Sequence, residues 1–562
     1  MASGNFSLAI LFLFFSLSHA IDDHHHHLPP EIREACKVSH DPSKCEASFH
    51  YHFPSNLSTL QIIYSALARS SHKLTKAQAL VKDIQKASAG NVNVTVAAVN
   101  CVEGLAFSEY RFKQTANDAL PRGEIKDARA WMSAALGYQH GCSAGLQKVN
   151  DTSRVIQTIV LMESLIGFTS NTLGMIINFD IHGNQIGSWS PPKTERQGFW
   201  EGVTGTRMDV KGGVPSNLKP NVMVCKAGNC EYRTVQDAVN AAPNNLVSER
   251  FVIWIKAGLY DEIVRVPMAK RNLVFLGDGM GQTVITGSLN VGNMANSGVT
   301  TFESATVGKW FIFSFGKSFI TSNLVFTTFE SATVGVLGDG FMARDLTIQN
   351  TAGAGAQQAV AFRSSSDRSV IENCEFLGNQ DTLYVNSLRQ YYKSCRIQGN
   401  VDFIFGNAAA FFQDCDILVS PRIVNPENGE TNAITAHGRI EPGQSTGFVF
   451  HNCSINGTPE YMKLYNSNPS VHKTYLGRPW KEYSRTVYIQ CQFGDLINPD
   501  GWMPWSGEFA LNTLYYGEFG NTGAGANAKE RVLWSSQIPA QHLYSYSVQN
   551  FIQGDRWIPS CS

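Results

Sequence analysis

From about residue 220 onward, the chain is a succession of short apolar segments separated by turn-forming residues. Segments such as NLVFLG, SVIENCEFLG, QYYKSCRIQG and TGFVFHNCSI are rich in Val, Ile and Phe and are punctuated by Asn and Gly. No long helical pattern alternates with them, which disfavours a doubly wound sheet. Stacked coils of parallel strands bury such segments at every turn, so this region is predicted to form a β-helix, with a β-sandwich as the competing architecture.

The earlier part of the chain, residues 30–185, follows a different pattern. Its apolar residues recur at intervals of three and four, which is typical of amphipathic helices. Long helices joined by short polar links predict an antiparallel helical bundle. The four cysteines of this region allow three pairings, and the short gap between the first two suits a disulfide-closed hairpin; they are Cys36, Cys45, Cys101 and Cys142.

A chain of 562 residues is too long for one ordinary compact domain. The helical pattern stops near Pro191 and Pro192, and a Gly-rich stretch, GGVPSN, follows. Such residues mark a linker. We therefore predict a linker over 186–218 and a second domain over 219–562.

The first 20 residues have the features of a secretory signal peptide. An apolar core at residues 10–15 precedes Ser18-His19-Ala20, a small-residue cleavage site. An uncleaved anchor is the alternative. Secretion implies an oxidising compartment, where disulfides persist and Asn-x-Ser/Thr sequons accept glycans. The sequons begin at Asn56, Asn93, Asn150, Asn452 and Asn456.

The overall charge is nearly balanced, with 46 acidic and 45 basic residues. A chain without a strong net field gives no indication of binding to nucleic acid or to a membrane surface. We therefore expect neither as a partner once the signal peptide has been removed.

The segment TTFESATVG occurs twice, at residues 300–308 and again at 327–335. Repeated coils of one fold keep a similar hydrophobic pattern but diverge in residue identity. Identity over nine consecutive residues therefore indicates an insertion of 27 residues, here placed at 309–335. The insertion is predicted to add no full coil to the β-helix and to pack poorly.

Asp402 lies in the apolar run VDFIFGN, where a buried carboxylate is costly unless another group pairs with it. Asp381 stands 21 residues earlier, after Gln380, and Gln358 stands 22 residues before Gln380. One coil of a β-helix takes about that many residues, so these side chains are predicted to stack on one face. Paired carboxylates suit acid–base or covalent chemistry, and amides suit an oxyanion hole. A purely structural ladder of polar side chains is the alternative.

The segment TYLGRPW adds Arg478 and Trp480. An arginine could pair bidentately with Asp402 and keep it charged in an apolar setting. The flat face of a tryptophan suits a sugar ring. An ordinary structural ion pair and a surface tryptophan are the alternative interpretation.

Several motifs, in order, resemble plant pectin methylesterases. They are AGLYDE, NTAGAGAQQAVAFR, GNQDTLY, VDFIFGNAA, LGRPW and GWMPWSGEFALNTLYYGEF, and the likeness covers about residues 220–562. The helical part is similar to the pectin methylesterase inhibitor domain that precedes the enzyme in plant proforms. The resemblance implies a four-helix bundle followed by a right-handed parallel β-helix, with no metal or cofactor.

The resemblance also implies roles for individual residues. Asp402 would attack the methyl-ester carbonyl, and Asp381 would protonate the leaving methanol and then activate water. The remaining implied site residues are Gln380 and Gln358 for the oxyanion, Arg478 for holding Asp402, and Trp480 and Thr328 for contacting substrate, with Thr301 an equal match to Thr328. Cys374 and Cys395 resemble a family disulfide. The implied substrate is methyl-esterified homogalacturonan of the cell wall, and the implied protein partner is the chain's own inhibitor-like domain or a separate inhibitor.

The sequence departs from the family in its linker and in two cysteines. Around Arg196 only TERQ is present in place of a basic processing motif, and Cys225 and Cys230 are candidates for an additional bridge. Two other functions stay open. One is a pectate lyase or polygalacturonase, although their calcium-binding or triple-aspartate clusters are not evident; the other is an inhibitor-type binding protein with an inactive second domain.

Overall fold

A computed structural model describes residues 28–49, 57–291, 328, 330–422 and 429–560. The predicted signal peptide and most of the predicted insertion lie outside these residues.

The N-terminal region is helical. Its helices are α1 (Pro30–Cys36), α2 (Pro42–Ala47), α3 (Thr59–Ala87), α4 (Val92–Gln114), α5 (Ile125–Gln147) and α6 (Ser153–His182). Polar caps set their starts: Ser58 forms a capping box with Gln61 at α3, and the Asn91 and Thr152 side chains accept backbone N–H groups at α4 and α6.

The four long helices form the predicted bundle. Helix α3 packs on α4, α4 on α5, α5 on α6, and α6 on α3, so that their apolar faces enclose one core. Helix α6 is long and apolar enough to cross a membrane by length and composition alone, but it supplies many of the buried residues of this core. Two disulfides resolve the open pairing: Cys36–Cys45 joins α1 to α2, as expected, and Cys101–Cys142 joins α4 to α5.

The C-terminal region is the predicted parallel β-helix. Its strands are β1 (Val222–Val224), β2 (Phe251–Ile255), β3 (Gly258–Asp261), β4 (Val264–Val266), β5 (Leu273–Leu276), β6 (Thr283–Gly287), β7 (Val334–Val336), β8 (Met342–Arg344), β9 (Thr347–Asn350), β10 (Phe362–Ser364), β11 (Ser369–Glu372), β12 (Glu375–Leu377), β13 (Leu383–Val385), β14 (Arg389–Lys393), β15 (Arg396–Gly399), β16 (Val401–Gly406), β17 (Ala409–Gln413), β18 (Asp416–Val419), β19 (Glu430–His437), β20 (Gly447–His451), β21 (Ser454–Gly457), β22 (His472–Pro479), β23 (Arg485–Ile489), β24 (Gln492–Phe493), β25 (Tyr515–Phe519) and β26 (Ser536–Gln537). Short helices α7 (Val235–Ala241), α8 (Pro459–Ser467) and α9 (Val548–Ile552) accompany them.

Successive strands belong to three different sheets, so each coil contributes one strand to each face. Among the described residues the orders are β1-β2-β5-β8-β11-β14-β17-β20-β23-β25-β26, β3-β6-β9-β12-β15-β18-β21-β24 and β4-β7-β10-β13-β16-β19-β22, all with parallel pairing. The last of these, called the groove sheet below, carries the predicted site. Inward side chains from all three sheets fill one continuous core, in which Phe412 and Phe450 stack 4.6 Å apart.

The expected Cys374–Cys395 disulfide is wrong. Both residues are free, buried thiols, and they belong to a column with Cys415, Cys453 and Cys491 on successive coils. In-register stacking holds neighbouring side chains parallel to each other, whereas a disulfide requires Cβ atoms that approach one another. The Cys395 thiol donates instead to the carbonyl of Lys393. Cys225 and Cys230 do form the additional bridge.

The segment between β6 and β7 adds no coil, as predicted. Strand β4 pairs directly with β7, and β6 pairs directly with β9, so the coils before and after the segment are adjacent. The second copy of the repeat supplies β7, whereas the first copy lies outside the described residues. The prediction that the insertion packs poorly also concerns residues outside the described part.

Candidate active site

Asp402 sits in a bulge near the start of β16. Val401 pairs with Ala433 of β19, and Ile404 pairs with Thr435. The interval between the paired residues is one residue longer on β16 than on β19, which defines a β-bulge. Asp402 adopts a left-handed backbone with φ of 50°, which is strained for a residue other than Gly. The bulge allows Phe403 and Ile404 both to enter the core while the Asp402 carboxylate leaves it.

Arg478 holds the Asp402 carboxylate with two hydrogen bonds. Its Nε donates to Oδ1 at 2.8 Å and its Nη2 to Oδ2 at 2.6 Å, the bidentate arrangement that the sequence suggested. Burial lowers the pKa of Arg478, but the charge of Asp402 and its hydrogen bonds together outweigh burial and raise that pKa above its usual value. A guanidinium in this arrangement is always charged and favours the ionised form of its partner.

Asp381 stands beside Asp402 on the preceding coil. The Asp381 N–H donates to the Val401 carbonyl at 3.0 Å, and the following residues, Leu383 and Ile404, pair in register. Only 7% of Asp381 is exposed. Burial first, and then the neighbouring Asp402 charge, raise the pKa of Asp381 well above its usual range, while Arg478 opposes them only partly. The two acids are therefore differentiated: one is paired with a cation and the other retains its proton.

The predicted amides lie at the starts of adjacent coils. The N–H of Ala359, next to Gln358, donates to the Gln380 carbonyl at 3.2 Å. The Gln358 Oε1 is buried without a hydrogen-bond partner among the described residues. Thr328 is buried one coil earlier, where its carbonyl accepts from the Ser331 hydroxyl at 2.8 Å. Thr301, its equal by sequence, lies outside the described residues.

A row of aromatic side chains continues from the acids along the groove sheet. Tyr384 stacks on Phe405 at 4.2 Å, and Trp480 meets Phe405 edge to face at 6.0 Å. Trp480 lies close to Gly438, where a Cβ would be 2.8 Å from the indole ring. Trp505 lies under the Arg478 guanidinium at 4.4 Å. Such flat faces suit sugar rings and cations.

Sequence reasoning missed three members of this aromatic row, namely Tyr384, Phe405 and Trp505. Tyr384 and Phe405 lie within the motifs that contain the two aspartates, so a coil alignment carried three residues further would have found them. Because the bulge at Asp402 adds one residue to the strand, the simple alternation of inward and outward side chains fails to predict that Phe405 points outward. No sequence motif around Trp505 indicates a role in the site, because only the folded chain brings it next to Arg478.

Helix α5 of the bundle covers this row. A cavity of about 260 Å³ separates them, lined by Tyr138 and His140 from α5 and by Tyr384, Trp480 and Lys481 from the β-helix. The Tyr138 hydroxyl and the Ser387 hydroxyl are hydrogen-bonded at 2.7 Å. Burial, and then Lys481, lower the pKa of His140 to about 4. The groove is therefore closed in this arrangement of the two domains.

Two family models account for most of the chain. The model described as Pectinesterase matches residues 221–327 and 312–555, and that of the Plant invertase/pectin methylesterase inhibitor matches residues 30–175. The two pectinesterase matches overlap at 312–327, next to the second copy of the repeated segment, as expected for an inserted stretch.

Relatives cover both regions. The chain is 54% identical over 537 residues to "Probable pectinesterase/pectinesterase inhibitor 64" of Arabidopsis thaliana, spanning 94% of this chain and 84% of that one. It is 36% identical over 563 residues to "Pectinesterase 2" of Citrus sinensis, spanning 98% and 97%. The solved pectin methylesterase from carrot shares 45% identity with a TM-score of 0.53, covering 61% of this chain and 96% of that one. The chain therefore belongs to the pectinesterase family of carboxylic ester hydrolases, with an N-terminal domain of the pectin methylesterase inhibitor family.

Proposed function

We propose that the β-helix hydrolyses the methyl esters of cell-wall homogalacturonan, with Asp402 as the nucleophile and Asp381 as the acid and then the base. One observation carries the assignment. Arg478 pairs with Asp402 alone, while burial and the Asp402 charge raise the pKa of the adjacent Asp381. A site with one ionised and one protonated carboxyl group can both attack a carbonyl and protonate a leaving group.

The first half-reaction forms an acyl-enzyme. An Asp402 oxygen bonds to the ester carbon, and the carbonyl oxygen takes the negative charge. The amides of Gln380 and Gln358, residues that begin adjacent coils, would donate hydrogen bonds to that oxygen. As the intermediate collapses, the bond to the methoxy oxygen breaks, and Asp381 gives that oxygen its proton, so that methanol leaves and an anhydride with Asp402 remains.

The second half-reaction restores the enzyme. Asp381, now ionised, takes a proton from a water molecule, whose oxygen attacks the same carbonyl carbon. The anhydride bond to Asp402 breaks, leaving galacturonate on the polymer and a carboxylate on Asp402. Arg478 then recovers its bidentate partner, and Asp381 again holds the proton.

The proposed substrate binds along the aromatic row. Trp480, Tyr384 and Phe405 offer adjoining flat faces beside the acids, and Thr328 lies on the coil before Gln358. A polymer in the plant cell wall requires an enzyme outside the cell, which accords with the predicted signal peptide. We therefore place the activity of the secreted protein in the wall.

We further propose that the bundle holds the enzyme inactive until it is displaced. Helix α5 covers Tyr384 and Trp480, and helix α4 is fixed beside the groove sheet by two hydrogen bonds from Arg111 to Asp339, of 2.7 and 2.8 Å. A polysaccharide cannot occupy the groove while α5 lies over it. The full chain should therefore release methanol much more slowly than the β-helix alone.

The test compares methanol release from methylated pectin by the wild-type sequence and by Asp402→Ala and Asp402→Asn. We use a β-helix fragment that begins at Thr194, because the linker residue Glu195 supplies a buried carboxylate that pairs with Arg485 at 2.7 Å. Loss of the nucleophile should reduce turnover by about 10⁴-fold or more. The Asn variant keeps an oxygen for Arg478 but loses the negative charge, so it should remain folded with a lower unfolding temperature than wild type.

Each protein is also made without residues 300–326, which removes one copy of the repeat and leaves the copy that supplies β7. Retained turnover in both Asp402 variants would remove Asp402 as the nucleophile. If neither wild-type fragment releases methanol, the inhibitor-type binding protein is favoured. Shortening of the polymer would instead favour a lyase or polygalacturonase.

A further inference from the structure

The linker between the two domains contacts each of them in alternation. Its first part is attached to the bundle, because the buried indole of Trp189 belongs to the bundle core. The Asn178 side chain on α6 donates to the Ser190 carbonyl at 2.9 Å and accepts the Ser190 N–H at 3.0 Å. The chain up to Ser190 is therefore part of the bundle surface.

Five residues later, the carboxylate of Glu195 is bound by the β-helix. Its Oε1 accepts hydrogen bonds from the Arg485 Nη1 at 2.7 Å and from the Tyr546 hydroxyl at 3.0 Å. Arg439 lies 3.8 Å from its Oε2. Burial acts to raise the pKa of Glu195, but the charges of Arg485 and Arg439, together with hydrogen bonds, outweigh burial and lower that pKa below its usual range. Glu195 is thus a linker anion held by two buried arginines of the β-helix.

Glu201 makes the reverse contact. The residue before it, Trp200, stacks on His542 of the β-helix at 4.4 Å, so this part of the linker lies on the second domain. The Glu201 side chain nevertheless pairs with the bundle: on α5, Lys126 donates to it at 3.0 Å, and Arg129 donates through both Nη atoms. Burial acts to raise the pKa of Glu201, but Arg129 and Lys126 outweigh burial and lower it well below its usual range.

The chain between the two carboxylates is exposed. Residues 196–198 face solvent, and the short 3-10 helix that contains Glu195 is closed by a capping box between Thr194 and Gln197. A cut after Gln197 would leave this capped turn intact on the N-terminal product. Each product would then own one carboxylate that is bound by cations of the other product.

We propose that residues 194–201, called the clasp below, keep the bundle docked on the β-helix after the chain is cut between Glu195 and Glu201. The partner of the β-helix is then the separate N-terminal product of the same chain. Pulling the two products apart would strip the buried arginines of both domains of their carboxylates, so their dissociation should be slow. Combined with the proposed inhibition by the bundle, on which this consequence rests, the clasp means that cleavage alone does not activate the esterase.

The experiment inserts a recognition sequence for a site-specific protease between Gln197 and Gly198 of the full chain. The three disulfides of the described residues each lie within one product, so non-covalent contacts must hold the cut pair together. After complete cleavage, size-exclusion chromatography at micromolar concentration should give one peak at the elution volume of the uncut chain. Separate elution of the two products would overturn the proposal.

Subunit exchange measures how strongly the clasp holds. Isotope-labelled cut protein is mixed with an excess of the same unlabelled cut protein, and native mass spectrometry follows the mixed complexes. Glu195→Gln and Glu201→Gln should each raise the exchange rate about 30-fold or more, as expected when a buried charge loses its partner. Lys126→Ala removes only an outer cation, 35% exposed, and should raise the rate about threefold. Thermal unfolding of the uncut proteins confirms that each variant is folded.

Glu375→Gln is the matched control. The Glu375 carboxylate is comparably buried, but it pairs with Arg396 at 3.1 Å within the β-helix alone, so this variant should exchange at the wild-type rate. Equal exchange rates in Glu195→Gln, Glu201→Gln and Glu375→Gln would overturn the proposal. A cut complex that stays in one peak but releases methanol as fast as the fragment from Thr194 would contradict the proposed inhibition by the bundle and leave the clasp intact.

Discussion

The molecule buries two pairs of aspartates against arginines: the pKa values of one pair are lowered, whereas one aspartate of the other pair has a raised pKa. One pair, Asp381 and Asp402, lies in the groove. The other, Asp127 from α5 and Asp367 from the β-helix, lies between the two domains. Both pairs are almost completely buried, so burial alone cannot explain the difference.

The interdomain pair is surrounded by guanidinium groups. Arg389 donates to Asp367 through Nε at 3.1 Å and Nη2 at 2.7 Å, and to Asp127 through Nη1 at 2.8 Å. Arg368 adds a bond to Asp127 at 2.5 Å. Burial acts to raise the pKa of each aspartate, but Arg389 and Arg368 together outweigh it, and both pKa values fall below their usual range. Both acids are therefore anions that attach the bundle to the β-helix.

Among the described residues, the groove pair shares a single guanidinium, and that group is directed at one acid. Arg478 donates two parallel hydrogen bonds to Asp402. Asp381 is stabilised only by the charge of the same guanidinium. The pKa of Asp381 rises because its burial and its charged neighbour are not compensated. The number of guanidinium donors per carboxylate thus distinguishes an attachment site from a site that can transfer a proton.

The largest expected effect follows removal of Arg389. Arg389→Met leaves two buried carboxylates without their shared partner, so the free energy of unfolding of the full chain should fall by about 3–5 kcal/mol. Urea denaturation followed by circular dichroism measures the change. The bundle should also separate from the β-helix at lower urea concentration than in wild type, which intrinsic tryptophan fluorescence would report through Trp131, whose indole donates to Asp367.

The matched control for Arg389→Met is Arg396→Met. Arg396 is 46% exposed and pairs with Glu375 at 3.1 Å, so its replacement should cost about 1 kcal/mol or less. Equal losses in the two variants would mean that the interdomain cluster contributes no more than a surface ion pair, and the contrast with the groove would then have no energetic basis.

A smaller effect of opposite sign is expected at Asp381. The pKa of Asp381 is higher in the folded state than in the unfolded state, where it is about 3.9. Between these two pKa values the folded protein binds more protons than the unfolded protein. The stability of wild type therefore falls as the pH rises through this range. Asp381→Asn has no such titration. The variant should lose turnover yet gain about 1 kcal/mol of unfolding free energy at pH 8, and it should show no gain below pH 4.

Asp402→Asn provides the opposite control at the same site. It removes the anion that Arg478 requires, so its unfolding free energy at pH 8 should be lower than that of wild type. Denaturant midpoints of the two variants across pH 4–8 decide the matter. If Asp381→Asn is destabilised at pH 8 as well, Asp381 is not a carboxyl group held protonated by its surroundings.

Much of the fold could be predicted because its signals are local and repeated. The strand pattern recurs at every coil, and the separation of 21 residues between Asp381 and Asp402 equals one coil of the groove sheet, where Phe362 pairs with Leu383. Stacking converts that period into contact. The same period misled the interpretation of Cys374 and Cys395, because in-register neighbours stack without turning toward one another.

Features formed when separate surfaces meet could not be predicted. Asp127 and Arg389 are 262 residues apart, and no pattern in either segment encodes the docking of α5 on the β-helix. Trp505 reaches Arg478 from an irregular segment outside the groove sheet, so no coil alignment identifies it. The bulge at Asp402 depends on a shift in register with β19, which only the assembled sheet determines.

The smallest expected effect concerns an exposed ion pair on the bundle. Lys113 bonds Glu109 at 2.6 Å one helical turn away, but its side chain is 66% exposed, so solvent screens the attraction and both side chains lose rotamer freedom. Lys113→Ala should lower the unfolding free energy by less than about 0.5 kcal/mol, and 0.5 M NaCl should reduce that difference further. Urea denaturation of the full chain measures both values. A loss comparable with that of Arg389→Met would show that burial does not set the strength of these pairs, and the distinction between the two clusters would have to rest on geometry alone.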